Sequence, residues 1–532
     1  MSARGSAGTL AVAGLAGTSS MILELAAVRL LAPWFGTSSQ VWTHVIGVVL
    51  LALASGYLLG ARLSRGRDPA RSLGLCLLGA ACATGWLPAA TAPVAAWFRP
   101  GEVALDEAAE LLRWGSLATA LVLFLPGTLV LGCVPPLASE LLQRGAGRSA
   151  GDAGGRVLAV STIGSLAGTF ATTYVALPQL GLSRTFLGAA ALLALLGIAV
   201  LATAARSLPA AGLGLLAVTL GSLAASRARA PGSAPGWRLL EARESAYQSL
   251  RAVEGEDGGR TMRRLQVNEG FDSFQSVWQK APGFLPDGYY YNFFAYPPRW
   301  AQRSGPWRVA VLGLGAGTAW RVLEGALPPS MALDSTGIEI DPAVVDLGER
   351  WFELRTGDAS RRVLSGWDAR TALRRLGDDL DQVVLDAYAN QMEIPAHLCT
   401  LEFFREVEAH LARGGWLCVN VGGFGLGDPV VEAVATTAAS AFGQRLLALR
   451  VPFSRNCVLF VRARAEAPEP EGPGWYTGDA EFDERLSRSA LPGAWRWFAP
   501  GSAPVLTEDR NPIDALQRRS VEEGRKLWLS SP

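Results

Sequence analysis

The residues most able to do chemistry lie between positions 308 and 341, where a glycine-rich turn precedes an acid. An apolar stretch leads into three glycines at alternate positions, Gly313, Gly315 and Gly317, and the next apolar stretch ends at Glu339. Glycines let the backbone approach a ligand closely, and an acid at the tip of the second strand suits the hydroxyls of a ribose. The order predicts a nucleoside-cofactor site; the alternative is a tight turn in some other α/β sheet.

Two further acids follow apolar stretches. Asp368 stands in Ser-Gly-Trp-Asp-Ala-Arg, and Asp386 in Val-Val-Leu-Asp-Ala-Tyr. Ligands of open α/β sheets bind outside the carboxyl ends of the strands, so we expect both acids to lie near the acid at 339. Each could instead be a helix N-cap, a position that aspartate favours. For Asp368 the two interpretations are equally weighted and compatible, whereas the irregular sequence after Asp386 favours a functional role.

The elements that position these residues follow from an alternation of strand and helix patterns between 306 and about 464. This alternation predicts an α/β doubly wound sheet made of parallel βαβ units. Strands are predicted near 308–313, 335–340, 361–365, 381–386, 415–421, 444–450 and 457–463. Helices are predicted near 317–326, 342–353, 368–376, 397–412 and 428–441. The pattern of residues 240–300 predicts short strands and turns rich in aromatic side chains. The end of the tail is predicted to be helical.

The first part of the chain has a different composition, dominated by Ala, Leu, Gly and Val with long uncharged stretches. Six stretches reach the roughly 20 apolar residues that cross a bilayer. These predicted membrane spans are 8–32, 40–61, 72–97, 115–142, 157–178 and 183–205, with a weaker one at 208–225. The first is longer than the apolar region of a signal peptide and is interpreted as retained.

Charge is distributed unevenly. Residues 1–240 hold 16 arginines and 8 acids, a balance of +8, and the whole chain is at +1, so the rest sums to −7. That balance argues against nucleic acid as a partner of the second half. Arginines concentrate in loops 62–71 and 143–156, which predicts that these loops and the N-terminus face the cytoplasm. Six spans would keep the second half cytoplasmic, and a seventh would place it outside. Whether the number of spans is even or odd stays open.

Cysteines and histidines give no further site. The 6 cysteines have no paired spacing and the 3 histidines are scattered, so neither a metal site nor a disulfide framework is predicted. The expected domains are a helical membrane domain at 1–226, a linker at 227–240, a small β-rich region at 241–305, a Rossmann-like domain at 306–465 and a tail at 466–532.

Residues 240–465 resemble the spermidine synthases, aminopropyltransferases built on the methyltransferase version of the doubly wound sheet. The resemblance is carried by Tyr247-Gln248, the glycine turn, Glu339-Ile-Asp341, the acids at 368 and 386, and the stretch 398–417. The chain as a whole resembles bacterial proteins that fuse a multi-span membrane domain to a spermidine-synthase-like domain. Glu24 and Arg29 in the first span, the segment 56–62 and Glu-Asp-Arg-Asn-Pro at 508–512 support that second resemblance.

The resemblance implies a role for each site residue. The backbone of the glycine turn would lie against the nucleoside. Glu339 would bind the ribose hydroxyls, and Asp368 would bind the adenine amino group. Gln248 would contact the co-substrate from the opposite side. Asp386 would take a proton from the attacking amine, because an ammonium has no lone pair and must be deprotonated first. Tyr290 would position that amine, or else fill the aromatic core. The co-substrate would be decarboxylated S-adenosylmethionine or S-adenosylmethionine, with no metal.

Three carboxylates of the family are absent. Ala316 stands where the glycine turn of the family carries Asp, Ala389 replaces the second acid of its Asp-Ser-Ser-Asp-Pro loop, and Asn292 replaces a Glu. The main hypothesis is aminopropyl transfer to a small-molecule amine. Loss of the turn Asp favours a second hypothesis, methyl or other alkyl transfer from S-adenosylmethionine. Charged Glu24 and Arg29 favour a third, a transporter or a sensor that binds a nucleoside or polyamine without turnover.

These resemblances also imply a location and partners. We expect a multi-pass protein of the bacterial inner membrane, with its soluble domain in the cytoplasm. The expected partners are the amine substrate and the lipid bilayer, with no nucleic acid, and a homodimer is left open.

Overall fold

The structure is a computed structural model, which describes residues 3–35, 39–98, 114–203, 236–245, 247–267, 274–301, 303–388, 394–489, 491–513, 515–517 and 519–520. Its chain divides into two compact units. One comprises residues 1–232 together with 243–249 and 268–270, and the other comprises the remainder.

The first unit is helical over most of its described residues up to 203. Its helices are α1 (Ala3–Phe35), α2 (Ser39–Ser64), α3 (Pro69–Phe98), α4 (Ser116–Gly132), α5 (Val134–Ala146), α6 (Ala150–Ala171), α7 (Leu177–Leu180) and α8 (Leu182–Thr203). Among the residues that the structure describes, six helical stretches are long and apolar enough to cross a bilayer, and each overlaps one of the first six predicted spans. The weaker candidate at 208–225 and most of the predicted linker lie outside the described residues.

Close backbone contact holds neighbouring helices of this unit together. A side chain at Gly56 on α2 would collide with the Leu129 carbonyl of α4, and one at Gly164 on α6 would collide with the Gly14 carbonyl of α1. Small residues at such crossings are typical of helices that pack within a bilayer.

Arg29, near the end of α1, has a partner within the same unit. Its Nη1 donates to the carbonyl of Ser245 at 2.9 Å. A charged residue on an otherwise apolar helix is costly unless it is paired. The Ser245 carbonyl gives the Arg29 guanidinium such a partner, and a role of Arg29 in transport or sensing stays a prediction.

A four-stranded sheet, whose last three strands pair antiparallel, precedes the main sheet in sequence. It contains β1 (Arg238–Glu244), β2 (Ser249–Asp257), β3 (Arg260–Val267) and β4 (Ser276–Gln279) in sequential order. Alternate residues of β2 and β3, such as Leu250 and Leu265, are buried with Leu347 and Phe352 from the main sheet's helical layer. This is the small β-rich element predicted before the Rossmann-like domain.

The main sheet has eight strands, namely β5 (Gly305–Leu312), β6 (Met331–Glu339), β7 (Arg361–Ser365), β8 (Leu380–Leu385), β9 (Leu411–Gly422), β10 (Leu446–Arg450), β11 (Asn456–Arg462) and β12 (Trp495–Phe498). Their order is β7-β6-β5-β8-β9-β11-β10-β12. Strands β7, β6, β5, β8 and β9 are parallel, and β11 pairs antiparallel with both β9 and β10. Strand β12 pairs antiparallel with β10, so β11 and β12 run opposite to the other strands. This doubly wound arrangement confirms the predicted methyltransferase-like fold class.

The helices of this unit cover the two faces of the main sheet. They are α9 (Tyr296–Ala301), α10 (Thr318–Ala326), α11 (Pro342–Trp351), α12 (Ala369–Leu373), α13 (Leu401–His410), α14 (Pro429–Phe442) and α15 (Ala480–Ser489). The sequence patterns predicted five of them but neither α9 nor α15, and they also missed strand β12. These last two elements lie in the stretch interpreted as a tail, where β12 pairs with β10. The predicted helix at the very end of the chain lies outside the described residues.

Candidate functional site

The glycine turn between β5 and α10 has the conformation that glycine allows. Gly313, Gly315 and Gly317 all have positive φ, at 88°, 57° and 91°. A Cβ at Gly313 would also overlap the backbone of Asp386, at the end of the neighbouring strand β8. Glycine is therefore required here by its backbone angle and by the close approach of two strand ends. The expected contact between this turn and a nucleoside stays a prediction.

Glu339 ends β6 directly beside this turn. Its Oε2 accepts from the Gly315 amide at 2.9 Å, and its Oε1 accepts from the Asp341 amide at 3.0 Å. The side chain is 8% exposed, and burial raises its pKa to about 7 against the opposing effect of these amide donors. The carboxylate is thus held at the carboxyl edge of the sheet, at the position predicted for a ribose contact.

Asp368 follows β7 and caps α12. Its Oδ1 accepts from the amides of Arg370 and Thr371, and its Oδ2 lies 2.8 Å from His397 Nε2. Burial alone would raise the pKa of Asp368, but the amide of Thr371 and the His397 ring hold it below its usual value. The N-cap interpretation is therefore confirmed, while the adenine contact stays a prediction. His397 was discounted in the sequence as isolated, and only the fold brings it to Asp368.

Asp386 follows β8 and lies between two side-chain donors. Asn420 Nδ2 donates to its Oδ1 at 2.8 Å, and the Tyr290 hydroxyl donates to its Oδ2 at 3.1 Å. Burial raises the pKa of Asp386 to about 7, even though both donors lower it. Tyr290 also stacks on Tyr291 with ring centroids 4.1 Å apart. The two predicted catalytic residues are therefore in direct contact, and Tyr290 is at once a core aromatic and a partner of the acid.

Asn420 belongs to this site although sequence reasoning missed it. It is 3% exposed on β9, its Oδ1 accepts from Asn456 Nδ2 at 2.9 Å, and its carbonyl accepts from the Tyr388 hydroxyl at 2.7 Å. A signal existed in Cys-Val-Asn-Val-Gly, because an amide inside an apolar strand needs a partner. The sequence does not tell which partner that is.

Two of the missing family carboxylates are replaced by residues with structural contacts. Ala316 is buried in the apolar cluster that includes Leu347, and its amide donates to Ser276 Oγ at 2.8 Å. Asn292 is buried too; its amide group accepts from the backbone of Leu285 and donates to the carbonyls of residues 285 and 286. Neither position offers a charge to a cationic ligand. Ala389, the third, lies outside the described residues.

Gln248 lies in a turn of the first unit. The Ser245 amide donates to the Gln248 carbonyl at 2.9 Å, and the Gln248 amide donates to Ser245 Oγ at the same distance. The residue is buried. Its predicted contact with a cofactor stays a prediction.

The strand order, the glycine turn and the acids at strand ends define a methyltransferase-type sheet whose carboxyl edge carries two carboxyls with pKa values near 7. No family model matches the chain. The chain is 27% identical over 295 residues to a probable polyamine aminopropyl transferase of Bifidobacterium longum (strain NCC 2705). This similarity, over 53% of the chain and 62% of that protein's length, confirms the resemblance to spermidine-synthase-like proteins.

Solved structures similar to the chain include a probable spermidine synthase from Corynebacterium glutamicum ATCC 13032, at 17% identity with a TM-score of 0.40, covering 50% of this chain and 96% of that one. Another is the spermidine synthase from Thermotoga maritima, at 16% identity with a TM-score of 0.35, covering 48% of this chain and 85% of that one.

Proposed function

We propose that the protein is a membrane-bound transferase that moves an aminopropyl group from decarboxylated S-adenosylmethionine to an amine. The observation that carries the proposal is Asp386, a half-buried acid with a pKa of about 7, held by Asn420 and Tyr290 at the carboxyl edge of the sheet. Similarity to a protein named as a probable polyamine aminopropyl transferase supports the choice of reaction.

The reaction needs a base with these properties. The amine attacks the aminopropyl carbon next to the sulfonium, the C–S bond breaks, and its electron pair leaves with the sulfur as a neutral thioether. The ammonium nitrogen must lose one proton to Asp386 before it attacks; the product is then a secondary ammonium, so the positive charge passes from the sulfur to the nitrogen and no further proton has to leave. A base is most effective when its pKa is close to the working pH, which a carboxyl with its ordinary pKa would not be.

The remaining acids would bind the nucleoside. Glu339 would accept from the ribose hydroxyls, for which its ionised form is the better acceptor, and Asp368 with its partner His397 would lie at the adenine end. Gln248 would contact the co-substrate from the other side, and Tyr290 would position the amine beside Asp386.

A second candidate is methyl or other alkyl transfer from intact S-adenosylmethionine. Ala316 favours it, because an apolar side chain at that position removes the family's preference for a co-substrate that lacks a carboxylate. The same site would also fit a sensor or transporter that binds a nucleoside or polyamine without turnover.

The six apolar helices support a location in the bacterial inner membrane, and we place the soluble unit in the cytoplasm, where its co-substrate is made. The deciding experiment incubates the purified full-length protein with labelled S-adenosylmethionine and, separately, with its decarboxylated form, each with and without amines. Transfer from the decarboxylated form alone supports the main proposal, and transfer from the intact form supports the second candidate. Binding without transfer supports the sensor, and no binding of either form rejects both transferase candidates and a nucleoside sensor.

A further inference from the structure

A chain of amide side chains leads from the carboxylate of Asp386 to the hairpin between β10 and β11. Asn420 Nδ2 donates to Asp386 Oδ1 at 2.8 Å, and Asn456 Nδ2 donates to Asn420 Oδ1 at 2.9 Å. Ser454 Oγ then donates to Asn456 Oδ1 at 2.8 Å. Each hydrogen bond of this amide relay points toward the acid.

The carboxylate fixes this direction. An ionised carboxyl only accepts hydrogen bonds, so Asn420 must turn its NH₂ toward Asp386 and its oxygen toward Asn456. Asn456 must then turn its own NH₂ toward that oxygen, which leaves its Oδ1 for the Ser454 hydroxyl. Reversing any amide would place two oxygens against each other, which is a repulsive contact.

The relay is anchored on the sheet at both amides. Asn420 is buried near the carboxyl end of β9, and its own carbonyl accepts from the Tyr388 hydroxyl. Asn456 begins β11, where it pairs with Gly422 of β9. Neither amide belongs to a flexible side chain on a loop, so the orientation set at Asn456 reaches Asp386 through Asn420 alone.

We propose that Asn456 is a positioning residue, which acts through Asn420 to keep an N–H donor directed at Asp386 and thereby favours its ionised, proton-accepting form. A donor to a carboxylate stabilises the charged state, and its loss favours the protonated acid, which cannot serve as a base. The catalytic consequence rests on the proposed function, whereas the relay itself does not.

Two substitutions separate this role from simple packing. Asn456→Asp keeps the volume but removes the donor, so Asn420 turns its NH₂ toward position 456 and its oxygen toward Asp386. Asn456→Ala leaves a void but no second acceptor, so Asn420 has no cause to turn. A positioning role predicts the larger effect for Asn456→Asp; a purely structural role predicts it for Asn456→Ala.

The first readout is the pH profile of transfer, with labelled decarboxylated S-adenosylmethionine and 1,4-diaminobutane as the acceptor probe. We expect Asn456→Asp to move the acidic limb of kcat upward by about one pH unit, which is roughly tenfold lower turnover below the limb. KM for the nucleoside should not change. An unmoved limb, or a larger shift in Asn456→Ala, overturns the proposal. If Asn456→Asp does not fold, Asn456→Glu, which likewise offers acceptors and no donor, must show the upward shift, and Asn456→Leu, which offers neither, must not.

The second readout needs no turnover and therefore separates failure of this inference from failure of the proposed function. Asp386→Asn is introduced into the wild type and into Asn456→Asp, and Tm is measured at pH 8.5 on the full-length protein. An amide at position 386 can donate to a turned Asn420 oxygen, so Asp386→Asn should raise Tm more in the Asn456→Asp background. Equal increases in Tm in the two backgrounds would show that no relay couples positions 386 and 456.

Discussion

The replacement of Asp386 by Asn tests the base and its unusual pKa together. An amide has nearly the shape of the carboxylate, can accept from Asn420 with its oxygen, and can donate to the Tyr290 hydroxyl with its nitrogen. The substitution therefore removes the charge and leaves the contacts. A positioned base contributes roughly 10²–10⁴-fold, so turnover should fall by that factor while the nucleoside still binds.

The same substitution has a stability signature with a definite sign. The pKa of Asp386 is about 7 in the folded protein against an ordinary 3.8, so the folded state keeps a proton that the unfolded chain has lost between these values. Wild-type stability therefore falls as pH rises through that window and is constant above it. Between pH 5.5 and 8.5 the fall amounts to about 2 kcal/mol, at about 1.4 kcal/mol per pH unit up to pH 7. The Asn variant lacks this fall.

The assay compares Tm of the wild type and Asp386→Asn at the two pH values in the same detergent. The Tm of the variant minus the Tm of the wild type should increase by roughly 4–8 °C from pH 5.5 to pH 8.5, given about 2–4 °C per kcal/mol for a domain of this size. Glu339 titrates in both proteins and cancels in the difference. A pH-independent difference would refute the raised pKa, and more than about a tenth of wild-type turnover in Asp386→Asn would show that another group is the base.

Three further predictions concern the co-substrate and the membrane. Glu339→Gln should weaken nucleoside binding by roughly 1–3 kcal/mol at pH 8, where the wild-type carboxylate is ionised; unchanged affinity by calorimetry in a folded variant would remove this residue from the site. Ala316→Asp should shift preference toward the decarboxylated co-substrate by about 1–2 kcal/mol relative to Ala316→Asn, which matches its volume in the apolar cluster. If the wild type already has that preference and the acid adds nothing, another residue recognises the aminopropyl end. A reporter fused after Arg243 should be active only in the cytoplasm. Activity only in the periplasm would reverse the placement of the soluble unit and separate it from its co-substrate.

The fold class could be predicted because its signals are local. Each parallel strand buried on both faces gives a short apolar run, and each helix between strands gives a periodic pattern, so seven of the eight strands of the main sheet and five helices follow from the sequence. The tail shows the limit of this approach. Strand β12 is short, rich in Trp, and separated by Pro- and Gly-rich sequence from the strand it pairs with, so its partner is visible only in three dimensions.

The sequence by itself determined the two-part organisation, the apolar spans, the glycine turn and the acids at strand ends, since each depends on residues close together in the chain. Only the tertiary structure decided which donors face those acids. Asn420 and Tyr290 lie 34 and 96 positions from Asp386, and His397 lies 29 positions from Asp368, yet all of them are hydrogen-bond neighbours. The reason is physical. The pKa of Asp386 is near 7 because burial raises it by more than the hydrogen-bond donors lower it, and both the burial and the donors come from residues distant in the sequence.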